Sequence, residues 1–299
     1  MERNKRFGMA DRIIAIGFWI NAGLMVMKLL AGHYGNSEAV FADGMESACD
    51  FVAILSTLIA LKIGRKPFDD QHPFGHGKAE SISAILVSLI IFFTGGGILY
   101  TAARTIILKD YVEPQLIAII AAVATIVIKE ALCRYTQVVS QQLQSPAVEA
   151  IAKDHRKDAL TSIATLIGVS AAYFGAALMD PLAAGLSAIL IFHIGWETFR
   201  NAAHDLMDGQ PPKELIACVT AIAAGVAGVE HVHEIRGRRS GQYLIIDLKL
   251  DMNPDMTVKQ SHDIITEVQR LIFEQSPNVG DVMIHINPHD EEHQDLIRL

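Results

Sequence analysis

The sequence predicts an α-helical polytopic membrane protein with six transmembrane helices, followed by a C-terminal cytosolic α+β domain of αββαβ order. Three observations carry this. Of the 299 residues, 51% are hydrophobic and only 19% charged, where a soluble domain carries about 25% charged residues. Apolar stretches, most of them near the roughly 20 residues that cross a bilayer, follow one another through the first two thirds of the chain. Gly209-Gln210-Pro211-Pro212 then breaks the pattern, and a soluble one begins.

The spans read in order as residues 13–31, 37–63, 81–103, 116–128 with its flanks, a stretch centred on 159–178, and 181–198. The first is too long for a signal peptide and lacks a small-residue cleavage site, so it is expected to remain as a span. Basic residues flank alternate span ends: Arg3, Lys5 and Arg6, then Lys62, Arg65, Lys66 and Lys78, then Arg134, then Arg200. The opposite connections, 33–36, 104–113 and 175–180, are short and poor in them. Both termini are therefore expected in the cytosol, in a multi-pass protein of the plasma or inner membrane.

Beyond the breaker, 214–227 reads as a helix, 231–239 as a strand and Ser240-Gly241 as a turn. Residues 243–251 alternate as a second strand, 258–275 form an amphipathic helix, and 281–287 a third strand. The expected boundaries are 1–208 for the membrane domain, 209–290 for the cytosolic domain and 291–299 for a flexible tail. The net charge of −8, with no basic patch, gives no sign of nucleic-acid binding. Cys49, Cys133 and Cys218 form no CxxC and fit a reducing compartment.

Two carboxylate doublets sit in this apolar background: Glu46/Asp50 in FADGMESACDFVAIL and Asp154/Asp158 in AKDHRKDALTSIATL. Each is spaced i,i+4, which places both side chains on one helix face about a turn apart. Carboxylates retained in a membrane usually face a polar cavity and mark an ion or proton pathway. A second cluster, Asp69, His72 and His76, lies in the loop after the second span, where Pro73 and two glycines favour a tight turn. Carboxylate with imidazole suits zinc and related ions. The tail segment carries a third scatter of histidines, among them His231, His233, His262 and His285, with Asp247 and Asn287.

Six segments in this order, FADGMESACD, DDQHPFGHGKAES, AKDHRKDALTS, DPLAAGLSAILI, VHEIRGRRSGQ and VMIHINPHD, resemble the cation diffusion facilitator family of divalent-metal/proton antiporters. The resemblance runs from about residue 11 to 290. It implies six helices per protomer, a metallochaperone-like cytosolic domain and a homodimer. It also implies a transport site on spans two and five. The family commonly carries HxxxD or DxxxD in span two, where this chain has Glu46 and Asp50. In span five it commonly carries HxxxD; here Asp154 takes the histidine's place and Asp158 keeps its own. His155 is one residue out of register, about 100° around the helix, and is not counted as a ligand. The loop ligands match Asp69, His72 and His76, and the tail ligands match His233, His262 and His285. Lys249 stands where a tail histidine is frequent and Asn287 where a bridging aspartate is. Lys78 and Asp208 match charges that interlock near the family's dimer interface.

The implied activity is divalent metal efflux coupled to proton antiport rather than catalysis. Its metal is substrate, no resident cofactor is expected, and the partners are a second copy, metal ions, protons and the bilayer. Four oxygen-only ligands favour harder ions such as Mn²⁺ or Fe²⁺, although affinity generally rises from Mn²⁺ towards Cu²⁺. A zinc, cadmium or cobalt exporter is the alternative within the family. Four close carboxylates repel one another when no metal is bound, so they take up protons that an arriving metal displaces. Hydropathy starts span five near residue 159, so this site requires the helix to begin nearer Pro146, with a wet cytosolic vestibule. Two other classes are a metal sensor and a membrane metallohydrolase. The latter needs an activated water and a general base, and the chain has no HExxH.

Overall fold

A computed structural model describes residues 2–143 and 146–289. Residues 290–299, which include the expected tail, lie outside them, as do the side chains of Arg3, Lys5 and Arg6. Six long helices come first: α1 (Glu2–Tyr34), α2 (Glu38–Gly64), α3 (Ala79–Leu108), α4 (Leu116–Leu143), α5 (Pro146–Tyr173) and α6 (Met179–Leu206). The shortest has 27 residues and reaches roughly 40 Å at 1.5 Å per residue, more than the hydrocarbon core requires.

Five of the six are apolar enough over a span length to cross a membrane by composition alone. The exception is α5, whose first half carries Glu149, Lys153, Asp154, Arg156, Lys157 and Asp158. It begins at Pro146, as a site on spans two and five requires, so both acids sit within regular helix. Proline is tolerated there because the first turn has no intrahelical acceptor for its missing N–H.

The described residues fall into two compact units. The first contains α1, α4 and α5, α2 as far as Leu55, α3 from Leu86 and α6 as far as Thr198. Within it α4 packs along α5, and α1 along α4. Small residues set the spacing. A Cβ on Gly32 would lie 2.5 Å from the backbone nitrogen of Phe41, and one on Gly44 2.9 Å from that of Leu29. The backbones of α1 and α2 therefore meet almost directly, the usual role of glycine between membrane helices. Ala31, Ala118, Ala121 and Ala122 pack with Val40 and Val169 in one buried cluster.

The start of α2 is held by α6. Asp180 accepts from the Ser37 hydroxyl and from the Glu38 amide, both at 2.6 Å, while Ser37 Oγ accepts from the Val40 amide at 3.1 Å. Unpaired amides at a helix N-terminus attract a carboxylate, and Asp180 is 2% exposed. This cap fixes the axial position of α2, and with it the depth of Glu46 and Asp50.

The second unit contains Ser56–Ile85 and the chain from Phe199 onward. Its sheet has the order β1 (His231–Ser240), β2 (Tyr243–Met252), β3 (Val279–Pro288). β1 pairs antiparallel to β2, and β3 parallel to β2. α7 (Lys213–Ala224) and α8 (Val258–Gln275) pack together, and Val219, Ala223, Val268 and Ile272 close over the strands. β2 is the central strand, and Leu244, Ile246, Leu248, Leu250 and Met252 alternate into the core. α8 opens with a capping box between Thr257 and Gln260. A bulge between Val232 and Glu234 leaves His233 as the extra residue of β1.

Replacing Asp180 with Ala leaves two polar donors at the start of α2 without their acceptor. The expected cost is about 1–3 kcal/mol for groups buried in this way, read as a lower thermal midpoint in detergent. An unchanged midpoint would mean that α2 is anchored elsewhere.

Candidate metal sites

Three acids descend α2 on neighbouring turns: Asp43, Glu46 and Asp50. Asp154 and Asp158 face them from α5. Glu46 lies within electrostatic range of Asp43, Asp50 and Asp158, and Asp50 within range of Asp158 and Asp154. Glu46 and Asp158 are half-buried, Asp50 and Asp154 exposed. The four sequence-predicted acids are thus gathered but not closed. Among the described residues, only two other clusters bring three ligand atoms within 4.8 Å of one another.

Two lysines complete the arrangement. Lys28 of α1 donates to Asp43 Oδ1 at 2.9 Å, to the Asp43 carbonyl at 3.1 Å and to Ser47 Oγ at 2.7 Å. Ser162 of α5 donates to the other Asp43 oxygen at 3.1 Å. Lys28 and Asp43 are 2% and 4% exposed, so this is a fully desolvated pair. Lys129 of α4, also buried, donates to Asp158 Oδ2. Lys28 is a lone cation in the apolar stretch 13–31 and Lys129 borders the stretch 116–128, signals that sequence reasoning about acids passed over. Asp43 was equally legible, at i−3 from Glu46 and i−7 from Asp50.

His155 is buried, and among the described residues neither ring nitrogen has a hydrogen-bond partner. Its Nε2 lies 3.5 Å from where a Cβ on Gly17 of α1 would stand. It therefore packs against α1, in keeping with its position off the Asp154/Asp158 face.

The loop cluster is compact. Asp69 Oδ1 accepts from the amides of Gln71 at 3.0 Å and His72 at 2.7 Å. His72 Nδ1 stands 3.2 Å from Oδ1 and His76 Nε2 3.5 Å from Oδ2. The two rings lie 4.4 Å apart. Gly75, at φ +79°, supplies the left-handed turn between the histidines. The hydrogen bond from the His72 amide holds the Asp69 carboxyl below its usual range, so the ligand oxygen stays ionised. At the end of this loop Lys78 Nζ pairs with Asp208 Oδ1 at 2.8 Å and donates to the Asp205 carbonyl. Its hydrogen bond holds the Asp208 carboxyl low. Asp208 itself ends α6 at φ +56°, a conformation that aspartate tolerates better than most residues.

In the C-terminal domain the predicted set His233, His262 and His285 is not brought together. His285 on β3 is the register partner of Lys249 on β2, and Lys249 lies 2.7 Å from Glu234 on β1. The position of a frequent family histidine is thus filled by an ion-paired ammonium, whose hydrogen bond holds the Glu234 carboxyl low. His262, on α8, belongs to neither three-ligand cluster. His233 instead meets His231 and Asp251.

Residues 14–207 match the family described as cation efflux transmembrane domain, and 211–289 that described as cation efflux protein, cytoplasmic domain. The chain belongs to the cation diffusion facilitator family. It is a multi-pass membrane protein and a transporter of divalent metal cations, not an enzyme. Manganese efflux system protein MneP of Bacillus subtilis (strain 168) is 37% identical over 97% of this chain and 99% of its own length. MneS, a manganese efflux system protein of the same organism, is 31% identical over 90% and 92%. Magnetosome protein MamB of Magnetospira sp. (strain QH-2) is 34% identical over 93% and 95%.

Removing one partner of a buried ion pair costs about 3–5 kcal/mol, while replacing both with apolar groups is often neutral. Lys28→Met is therefore expected to lower the thermal midpoint sharply, and Lys28→Met/Asp43→Leu to recover most of the loss. If the double variant is no better than the single one, the pair is not what the site's stability rests on.

Proposed function

We propose that this cation diffusion facilitator exports Mn²⁺ from the cytosol in exchange for protons. It works as a homodimer in the plasma membrane with both termini inside, and Glu46, Asp50, Asp154 and Asp158 are its cargo ligands. The observation that carries this reading is the donor set: four carboxylates on two facing helices, with no nitrogen or sulfur, which suits a hard divalent ion. Two relatives named as manganese efflux proteins support it. Fe²⁺ shares the same ligand preference and is the second candidate.

Lys129 enters the mechanism as a tethered cation. Its ammonium pairs with Asp158. An incoming dication displaces it and draws the four carboxylates together, and protons held by the remaining acids leave as their oxygens become ligands. Reversal on the far side returns Lys129 to Asp158 and helps to expel the ion. A cavity of about 600 Å³, lined in part by Ser37, Glu38, Thr101 and Asp180, reaches along α2 to Met45, next to Glu46 in sequence. It supports an exit on the side away from the cytosol. The loop cluster of Asp69, His72 and His76 is a second, cytosolic metal site in this reading, and the Lys78–Asp208 pair steadies the chain near the dimer contact.

Mn²⁺, Fe²⁺, Zn²⁺ and Co²⁺ flux into proteoliposomes under a fixed pH gradient, with lumenal pH recorded in parallel, tests the proposal. Asp50→Ala and Asp158→Ala should each abolish flux while the protein stays folded; normal flux in either removes the site assignment. Asp154→His adds one imidazole and should shift competition from Mn²⁺ towards Zn²⁺. Lys129→Met frees the metal from competing with an ammonium, so both KM and kcat should fall; a raised KM would show that Lys129 does not compete with the cargo.

A further inference from the structure

The C-terminal domain carries a ligand cluster that lies outside the proposed cargo site and shares only His233 with the tail ligands implied by the family resemblance. His231 on β1 and Asp251 on β2 are register partners, and Asp251 in turn faces Asn287 on β3. Residues opposite one another across neighbouring strands present their side chains to the same face. The bulge at His233 adds a second imidazole to that face, because the extra residue kinks β1 and re-aims its side chain.

The geometry converges on one oxygen. Nδ1 of His231 lies 3.2 Å, and Nδ1 of His233 3.9 Å, from Asp251 Oδ2. The two rings stand 6.4 Å apart at 82°, so they approach the carboxylate from different directions. Asn287 donates to the other oxygen, Oδ1, at 3.4 Å, and so orients the carboxylate. One ligand atom from each of the three residues lies within 4.8 Å of the others. Asp251 is 7% exposed, and a carboxylate buried to this degree needs a compensating charge. Imidazoles supply charge only when protonated. A dication bound between them compensates the carboxylate with both rings neutral, the form in which histidine ligates.

We propose that His231, His233 and Asp251 form a divalent-cation site for ions of the zinc, cobalt and nickel class, with water completing the coordination. Two nitrogens and one carboxylate suit these borderline ions, and Mn²⁺ stands lowest in the general affinity order for such ligands. The site therefore selects for a different chemistry from the oxygen-only acids of α2 and α5.

The test uses the full-length protein in detergent and equilibrium dialysis against Zn²⁺ at a free concentration that just saturates the wild type. His231→Ala and Asp251→Asn should each lose one Zn²⁺ per chain, while His262→Ala and His285→Ala retain the wild-type number. The His231 side chain is 61% exposed, so its truncation spares the core and decides the matter even if Asp251→Asn unfolds the domain. Wild-type stoichiometry in His231→Ala overturns the proposal, as does loss of the ion in His262→Ala or His285→Ala. An equal concentration of Mn²⁺ should leave the His231-dependent Zn²⁺ in place; its displacement would overturn the assigned ion class.

Discussion

Everything in the membrane unit depends on how charge is neutralised where water is scarce. Asp43 is tied to Lys28, which also donates to Ser47, and to Ser162; Asp158 is tied to Lys129. An isolated ionised carboxylate in such surroundings carries a desolvation penalty of several kcal/mol. The two lysines remove that penalty in different ways. Lys28 and Asp43 form a closed pair with additional hydrogen bonds, which suits a permanent strut between α1, α2 and α5. Lys129 meets an acid that is only partly buried and belongs to the proposed cargo set, so the same interaction there is suited to exchange. Permanence and exchange follow from burial and from the number of further bonds each acid makes.

The strut works because the helices bearing it are held at fixed distance and depth. Gly32 and Gly44 let the backbone of α2 lie against α1, and van der Waals contact of this kind is the main adhesive between helices in lipid. The Asp180 cap stops α2 from sliding along its axis. The four proposed cargo acids lie within electrostatic reach of one another, and close carboxylates repel unless a cation or protons offset their charge.

In the cytosolic domain the decisive constraint is strand register. A single bulged residue in β1 places His233 beside Asp251, while Lys249 is directed to Glu234 and stands next to His285. Because side chains alternate with a period of two, one extra residue changes which groups can share a face. The histidines present in this segment therefore fall into groupings that differ from those suggested by their order in the chain.

Much of this molecule was legible in the sequence. Five of the six long helices, the αββαβ order and the helical stretch 258–275 follow from hydrophobic period and length, which are local properties of the chain. The doublets Glu46/Asp50 and Asp154/Asp158 follow from i,i+4 spacing, and the Asp69, His72 and His76 cluster from a short turn that cannot hold its ligands far apart. The partners across helices were not legible. Nothing local says that Lys28 meets Asp43, that Lys129 meets Asp158, or that Asp180 caps a helix more than a hundred residues earlier. Those pairings depend on helix rotation and crossing, which are set by packing among residues distant in sequence. The regrouping around Asp251 has the same origin, since a bulge is a property of two paired strands and not of either one alone. The sequence determined which groups the chain must neutralise or use; the tertiary structure alone decided which of them face one another.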